Sequence, residues 1–160
     1  MIFIVIFSIT LMLYTKEMTM LNNRYQKELM VLNENLAPNQ FRFLEMGTSN
    51  EHLVMAVRTN RRNIYTLYIQ LDGFPENMPK VFVTQMLVSH DGKKLESASG
   101  TMHTLTSENG WTRICHYGSN SWTPNVSLYK VYIKCRLWLE MYELHLQTGK
   151  PIDYYLSHQQ

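Results

Sequence analysis

At 160 residues, 45% of them hydrophobic, the chain is long enough to bury one substantial core and short for two. A formal charge of +2, with Lys and Arg scattered apart from Arg58, Arg61 and Arg62, gives no phosphate-tracking surface, so nucleic acid is not an expected partner. Two distant cysteines make no disulfide framework, and the six histidines show no HxxxH spacing for structural zinc, so free thiols and no metal or cofactor are expected.

The first stretch, MIFIVIFSITLMLY, is almost wholly apolar. As a helix it would reach about 21 Å, short of the roughly 30 Å hydrocarbon core of a bilayer. It also lacks the basic flank and small-residue cleavage site of a signal peptide. Residues 1–17 are therefore read as an apolar N-terminal extension, either upstream of a true start at Met18 or Met20 or a weak anchor to a membrane or partner. Residues 18–160 are expected to form a single domain in the cytoplasm, with membrane contact only if residues 1–14 are genuine.

From Thr19 to Asn35, Leu21, Tyr25, Leu29 and Leu32 recur at helical spacing, and Pro38 ends the segment. Three strands are expected next, over Phe41 to Met46, His52 to Arg58 and Ile64 to Leu71, separated by polar turns at Gly47 to Glu51 and Thr59 to Asn63. The basic run Arg58, Arg61, Arg62 then falls on a solvated hairpin turn. Phe74, Pro75, Met78 and Pro79 turn a corner into a fourth strand, Val81 to Leu87. The corner reads first as core and second as a partner surface. Residues 88–110 are polar and Gly/Ser-rich and are expected to be an irregular connection, functional or mobile. A last helix is expected from about Ser127 to Gln147, with Leu128, Val131, Cys135, Trp138, Tyr142 and Leu146 on its buried face. Gly149 and Pro151 end it, and Ile152 to Leu156 could add a short turn. Short turns between consecutive strands favour an antiparallel meander, so the class is α+β, with helices flanking the sheet.

The two thiols separate by context. Cys135 lies on the helical stripe and reads as a small core hydrophobe. Cys115 belongs to no stripe. It follows the Asn109-Gly110 turn and precedes His116, Tyr117, Gly118, Ser119 and Asn120, the polar and partly exposed setting that a reactive thiolate requires. His103 and His116 are the histidines that could serve it as base, although neither carries a protease signature and each can also be a plain surface residue.

In order along the chain stand a helix, a meander, the corner FPENMPKVFV, a His-containing segment, Asn109-Gly110, Cys115 and WTPNVSLYKVYI leading into a helix. That order resembles the ubiquitin-conjugating enzyme (UBC-like) family over residues 19 to about 150, most specifically over Asn109 to Val131. The family has a proline corner after the third strand, a His-Pro-Asn motif, a catalytic Cys and a Trp-Ser-Pro opening the following helix. Here His103-Thr104-Leu105 stands at the His-Pro-Asn motif, so its Asn has no match, and Trp111 and Thr112 lengthen the path to the Cys. Such drift is similar to divergent bacterial relatives found in antiphage defence operons, including the CBASS systems.

The resemblance implies a UBC-like fold with a four-stranded meander and a catalytic Cys115, with His103 bracing its loop. It implies an acyl transferase that takes a ubiquitin-like modifier, or a nucleotidyltransferase with an activated C-terminus, as a thioester from an activating enzyme and passes it to a target protein. Asn109, His116, Ser119, Asn120 or backbone N–H groups would replace the missing oxyanion donor, a role worth roughly 3 kcal/mol. Trp122 and Pro124 would fix the corner behind the site, and Arg24 and Lys27 would face partners. A catalytically inactive UBC or RWD-like binding module is the main alternative, followed by an anchored structural protein and a thiol hydrolase.

Overall fold

The computed structural model describes residues 23–157. The apolar extension and the expected helix start at Thr19 lie outside the described residues. The chain divides into two units between Leu36 and Ala37. In the first, helix α1 covers residues 23–35, and Arg24 pairs with Glu28 one turn on at 2.7 Å. Lys27 on the same helix is exposed.

The second unit holds β1 (Phe41–Leu44), β2 (His52–Arg58), β3 (Ile64–Gln70), β4 (Lys80–Val83), β5 (Thr104–Glu108), β6 (Trp111–Ile114), α2 (Leu128–Thr148) and α3 (Ile152–Ser157). The class is α+β, as the order of patterns implies: an N-terminal helix, an antiparallel sheet and a C-terminal helix. The sheet has six strands, not four, in the order β1-β2-β3-β4-β6-β5. The fourth strand ends at Val83 rather than Leu87. The stretch expected to be irregular conceals β5, the last strand of that order, which pairs with β6 and whose Thr104 also bridges Ser99. Asn109 and Gly110, both at positive φ (55° and 74°), make the two-residue hairpin between β5 and β6. This is the turn that Asn-Gly favours, because its twist matches that of the flanking strands. β6 returns beside β4, pairing Val81 with Ile114 and Val83 with Thr112.

Register puts one parity of each strand on a common inner face: Met55 opposite Leu67, Leu67 opposite Val83, and Ile69 opposite both Leu53 and Val81. All of these are fully buried, and each large aliphatic side chain so buried contributes about 1.5–3 kcal/mol. Helix α2 lies against this face, with Tyr142 edge-on to Tyr65 at 6.5 Å. Ser127 caps its start by accepting from the Lys130 N–H at 3.2 Å, and Gly149 closes its end at φ 72°. The expected stripe holds except at Leu146, which is 36% exposed; His145, Met141 and Glu143 are buried instead. Two of these polar groups tie the helix to loops. Glu143 Oε1 accepts from Thr59, Asn63 and Tyr65 at 2.9–3.1 Å, fixing the β2–β3 turn. His145 Nε2 accepts from the His90 N–H at 3.0 Å. Arg58, Arg61 and Arg62 are exposed at that turn, as expected. Among the described residues no helix is long and apolar enough to cross a membrane.

The proline corner is core only in part. Pro79 is buried and Phe74, Pro75 and Met78 are half-buried. The Trp122 ring stands 6.2 Å from Phe74 and donates from Nε1 to the Pro75 carbonyl at 3.0 Å. Trp122 therefore holds the segment between β6 and α2 against the corner, while Pro124 is exposed.

Candidate functional site

Cys115 is the first residue after β6, where the chain leaves the sheet. Its N–H donates to the His103 carbonyl at 2.9 Å, so the end of the edge hairpin fixes its backbone. Its thiol points to the Tyr117 carbonyl at 3.8 Å, a weak sulfur contact that closes the turn over residues 115–117. The side chain is half-buried and stands in the wall of a cleft of about 310 Å³.

Four pieces of the chain build that cleft. The turn after β6 contributes Cys115, His116, Tyr117 and Gly118. Helix α2 contributes Lys134, Leu137, Trp138 and Met141, one i, i+3, i+4, i+7 stripe. His103 and the α3 residues Ile152 and Leu156 complete it. The lining is mostly apolar, with the thiol, an ammonium and two imidazoles as its polar groups. Among the described residues no cluster of three or more His, Cys, Asp or Glu could hold a metal ion.

His103 sits at φ 49°, a conformation that a non-glycine residue adopts at some cost. Its carbonyl explains why it stays there, because it accepts from both the Cys115 N–H and Trp138 Nε1, the latter at 3.1 Å. Its ring reaches Asp153 of α3, with Nε2 3.2 Å from Oδ1. A left-handed residue is thus pinned between the thiol's own backbone and two helices.

His116 is a different kind of histidine. Its Nε2 is buried with no hydrogen-bond partner, and desolvation pulls its pKa from 6.5 down to about 4. Arg113 pushes the same way, and a bond to the Ile114 backbone opposes both. The ring is therefore neutral at pH 7 and supplies no positive charge to the thiol. The unfolded chain takes up this proton below about pH 6.5 while the folded chain waits until about pH 4. Between those values the unfolded state holds more protons, so stability falls as pH falls. Comparing urea unfolding at pH 7 and pH 4.5, His116→Gln is expected to lose about 2 kcal/mol less than the parent chain. An identical pH slope in both proteins would show that the ring is hydrated in the folded state.

Cys115, His103 and His116 are thus brought together on one cleft, and Asn109 is not. Asn109 turns the hairpin at the opposite end of β6, roughly 16 Å from Cys115 along the strand, so its side chain serves the turn rather than the thiol. Ser119 and Asn120 are exposed in a short 3-10 turn, Ser119–Ser121, just past Gly118. Lys134 and Asp153 carried no signal in the sequence, since Asp153 meets His103 across 50 residues. No family model, curated protein or solved structure matches this chain.

The two thiols differ sharply. Cys135 is fully buried on α2, and burial pushes its thiol far above the ordinary value. A thiol-specific chromogenic reagent is expected to titrate one cysteine in the native chain and both after unfolding, with no fast thiol in native Cys115→Ser. A second fast thiol in the native chain would mean that α2 opens.

Proposed function

We propose that the chain is a ubiquitin-conjugating-enzyme-like acyl carrier. Cys115 takes the C-terminal acyl group of a ubiquitin-like modifier, or of a nucleotidyltransferase with an activated C-terminus, from an activating enzyme and passes it to a target protein. The proposed setting is a bacterial antiphage defence system of the CBASS type. The observation that carries the reading is the half-exposed Cys115 thiol at the end of β6, opening onto a cleft while the only other cysteine is sealed in the core.

The chemistry needs little more than a positioned sulfur. The Cys115 thiolate attacks the carbonyl carbon of the incoming thioester, the new C–S bond forms, the old one breaks, and the departing thiolate takes a proton. In the second step an amine attacks the same carbonyl, the C–N bond forms as the C–S bond breaks, and the departing Cys115 thiolate takes up the proton that the amine loses. The oxyanion formed in each step needs a donor. With Asn109 distant, the backbone N–H groups of the turn over His116, Tyr117 and Gly118 are the groups nearest in sequence to the thiol that can supply it. His103, held by Asp153, is a positioning residue for the Cys115 backbone.

A second reading, a catalytically inactive UBC or RWD-like binding module, is favoured by the mostly apolar cleft and by the distance of Asn109. Intact-mass spectrometry of the chain with a candidate activating enzyme and modifier separates the two. The carrier reading expects a thiol-sensitive adduct that survives Cys135→Ser and is lost in Cys115→Ser. A chain left unmodified while the activating enzyme is demonstrably charged supports the binding module.

A further inference from the structure

The cleft uses His103 and His116, and a second pair of histidines meets at the C-terminal end of α2. His145 is 6% exposed, so its ring sits inside the protein, and both of its nitrogens are committed. Nδ1 lies 2.8 Å from the Lys150 carbonyl, an oxygen that can only accept, so Nδ1 carries the hydrogen. Nε2 lies 3.0 Å from the His90 N–H, a group that can only donate, so Nε2 keeps its lone pair. Together the two neighbours fit one protonation state, the neutral ring with its hydrogen on Nδ1. An imidazolium would set two N–H groups against each other across the same 3.0 Å.

The bond to His90 ends on a surface turn that is closed on itself. The Ser89 N–H donates to the Lys93 carbonyl at 2.8 Å and the Gly92 N–H to the Ser89 carbonyl at 2.9 Å, so the turn can leave α2 as a unit. Among the described residues three hydrogen bonds tie this segment to α2: the His90 N–H to His145, His90 Nδ1 to the Leu146 carbonyl at 2.8 Å, and the Tyr142 hydroxyl to the Val88 carbonyl at 2.9 Å. The last two end on carbonyls and survive acid. The first needs a neutral acceptor. Nor does the surrounding charge offer His145 a counter-ion. The His90 ring, 6.4 Å away, adds like charge when it is protonated, and Asp91 pairs with Lys93 inside the turn. On α2, Glu143 accepts from the β2–β3 turn. Past the helix, the Lys150 ammonium stands 4.0 Å over the Tyr154 ring, the Tyr155 hydroxyl reaches Thr148, and Asp153 faces His103.

We infer that His145 is an acid-sensitive latch: neutral, it holds the Ser89 to Lys93 turn on the end of α2, and protonated on Nε2 it releases that turn while the rest of the fold stays closed. The sign follows from which form takes the proton. In the released form the ring meets water and ionises in the ordinary imidazole range near pH 6.5, whereas the latched ring takes a proton only by losing its bond to His90, so lowering the pH favours release. One proton per opening limits the effect to about tenfold per pH unit. The inference does not depend on Cys115 being an acyl carrier, since neither His90 nor His145 lines the cleft.

Nuclear magnetic resonance of the full chain tests both halves. Imidazole nitrogen shifts at pH 7.5 are expected to show a hydrogen on Nδ1 of His145 and none on Nε2. Hydrogen exchange at the residue 90 amide, corrected for the pH dependence of the chemical step, then reads the latch between pH 7 and pH 5. Opening is expected to rise by about tenfold or more over that range in the parent chain. The same rise is expected in His90→Ala, which keeps the N–H and removes only the neighbouring ring. It should be absent in His145→Gln, whose side-chain oxygen can accept from the same N–H and does not titrate. Amides of β2 and β3 should not follow the turn, and His116 does not contribute, since in the folded chain it stays neutral down to about pH 4. A hydrogen on Nε2 of His145 at pH 7.5 overturns the inference whether or not the variants fold. So does a residue 90 amide whose opening ignores pH in the parent chain, or one that responds equally in His145→Gln.

Discussion

Replacing Cys115 by alanine is expected to abolish adduct formation completely, and replacing it by serine to slow loading by roughly a thousandfold or more. The reason is chemical rather than structural. A thiol supplies some thiolate near neutrality and leaves readily afterwards, whereas a serine hydroxyl needs a base to attack and leaves poorly. The site offers serine no such help, since His116 is neutral but buried with its Nε2 out of contact and His103 spends its ring on Asp153. Any adduct formed slowly on the hydroxyl of Cys115→Ser would be an ester that resists added thiol, so mass before and after adding excess thiol distinguishes the two linkages. The fold is expected to be unmoved. Cys115 is half-buried and its thiol makes one 3.8 Å contact, so the unfolding free energy should shift within about 0.5 kcal/mol. Cys135→Ser reverses this pattern, burying an unpartnered hydroxyl at about 1–3 kcal/mol while leaving loading intact. Full loading of Cys115→Ala, or thiol-resistant adducts on the parent chain, would remove Cys115 from the mechanism.

Why the sequence discloses some of this and not the rest has a physical explanation. Strands β2 and β3 are legible because every second residue is driven into the core, so Leu53, Met55 and Val57, and Tyr65, Leu67 and Ile69, write the period of two directly into the chain. β5 leaves no such trace. It is an edge strand of sequence TLTSE whose only buried residue is Thr104, and its pairing with β6 slips between Leu105 and Glu108. Edge strands are commonly polar for this reason, because an apolar edge invites pairing with other chains. Asn109-Gly110 does announce a turn, but without its first strand the turn reads as an approach to the thiol, which draws Asn109 into a site it does not reach. Cys115 is legible because it fits no stripe, and Cys135 because it fits one. The cleft is only half legible. Trp138 stands out as a core residue, while Lys134 reaches the thiol's surroundings through α2 and Ile152, Asp153 and Leu156 through α3, which no local pattern could bring together.

Trp138 is where fold and site depend on one side chain, and its variants should separate the two contributions. It is 5% exposed, stacks on Tyr142 at 5.5 Å with ring planes 8° apart, and donates from one indole N–H to the carbonyls of both Met102 and His103. Trp138→Ala removes a large core group and both bonds, and is expected to cost about 3–5 kcal/mol in urea unfolding. Trp138→Phe keeps most of the apolar volume and deletes only the donor, so it should cost about 1–2 kcal/mol. The informative readout is local. With the indole N–H gone, His103 keeps the Cys115 N–H and the Asp153 contact but loses one restraint on its left-handed conformation, and a residue that adopts positive φ at a cost relaxes once a restraint is lost. Hydrogen exchange at the Cys115 amide should therefore speed up in Trp138→Phe by more than its loss of global stability explains, and loading of Cys115 should slow while its reaction with a small thiol reagent does not. Exchange that tracks global stability alone would reduce Trp138 to an ordinary core residue and leave the positive φ of His103 to the edge hairpin itself.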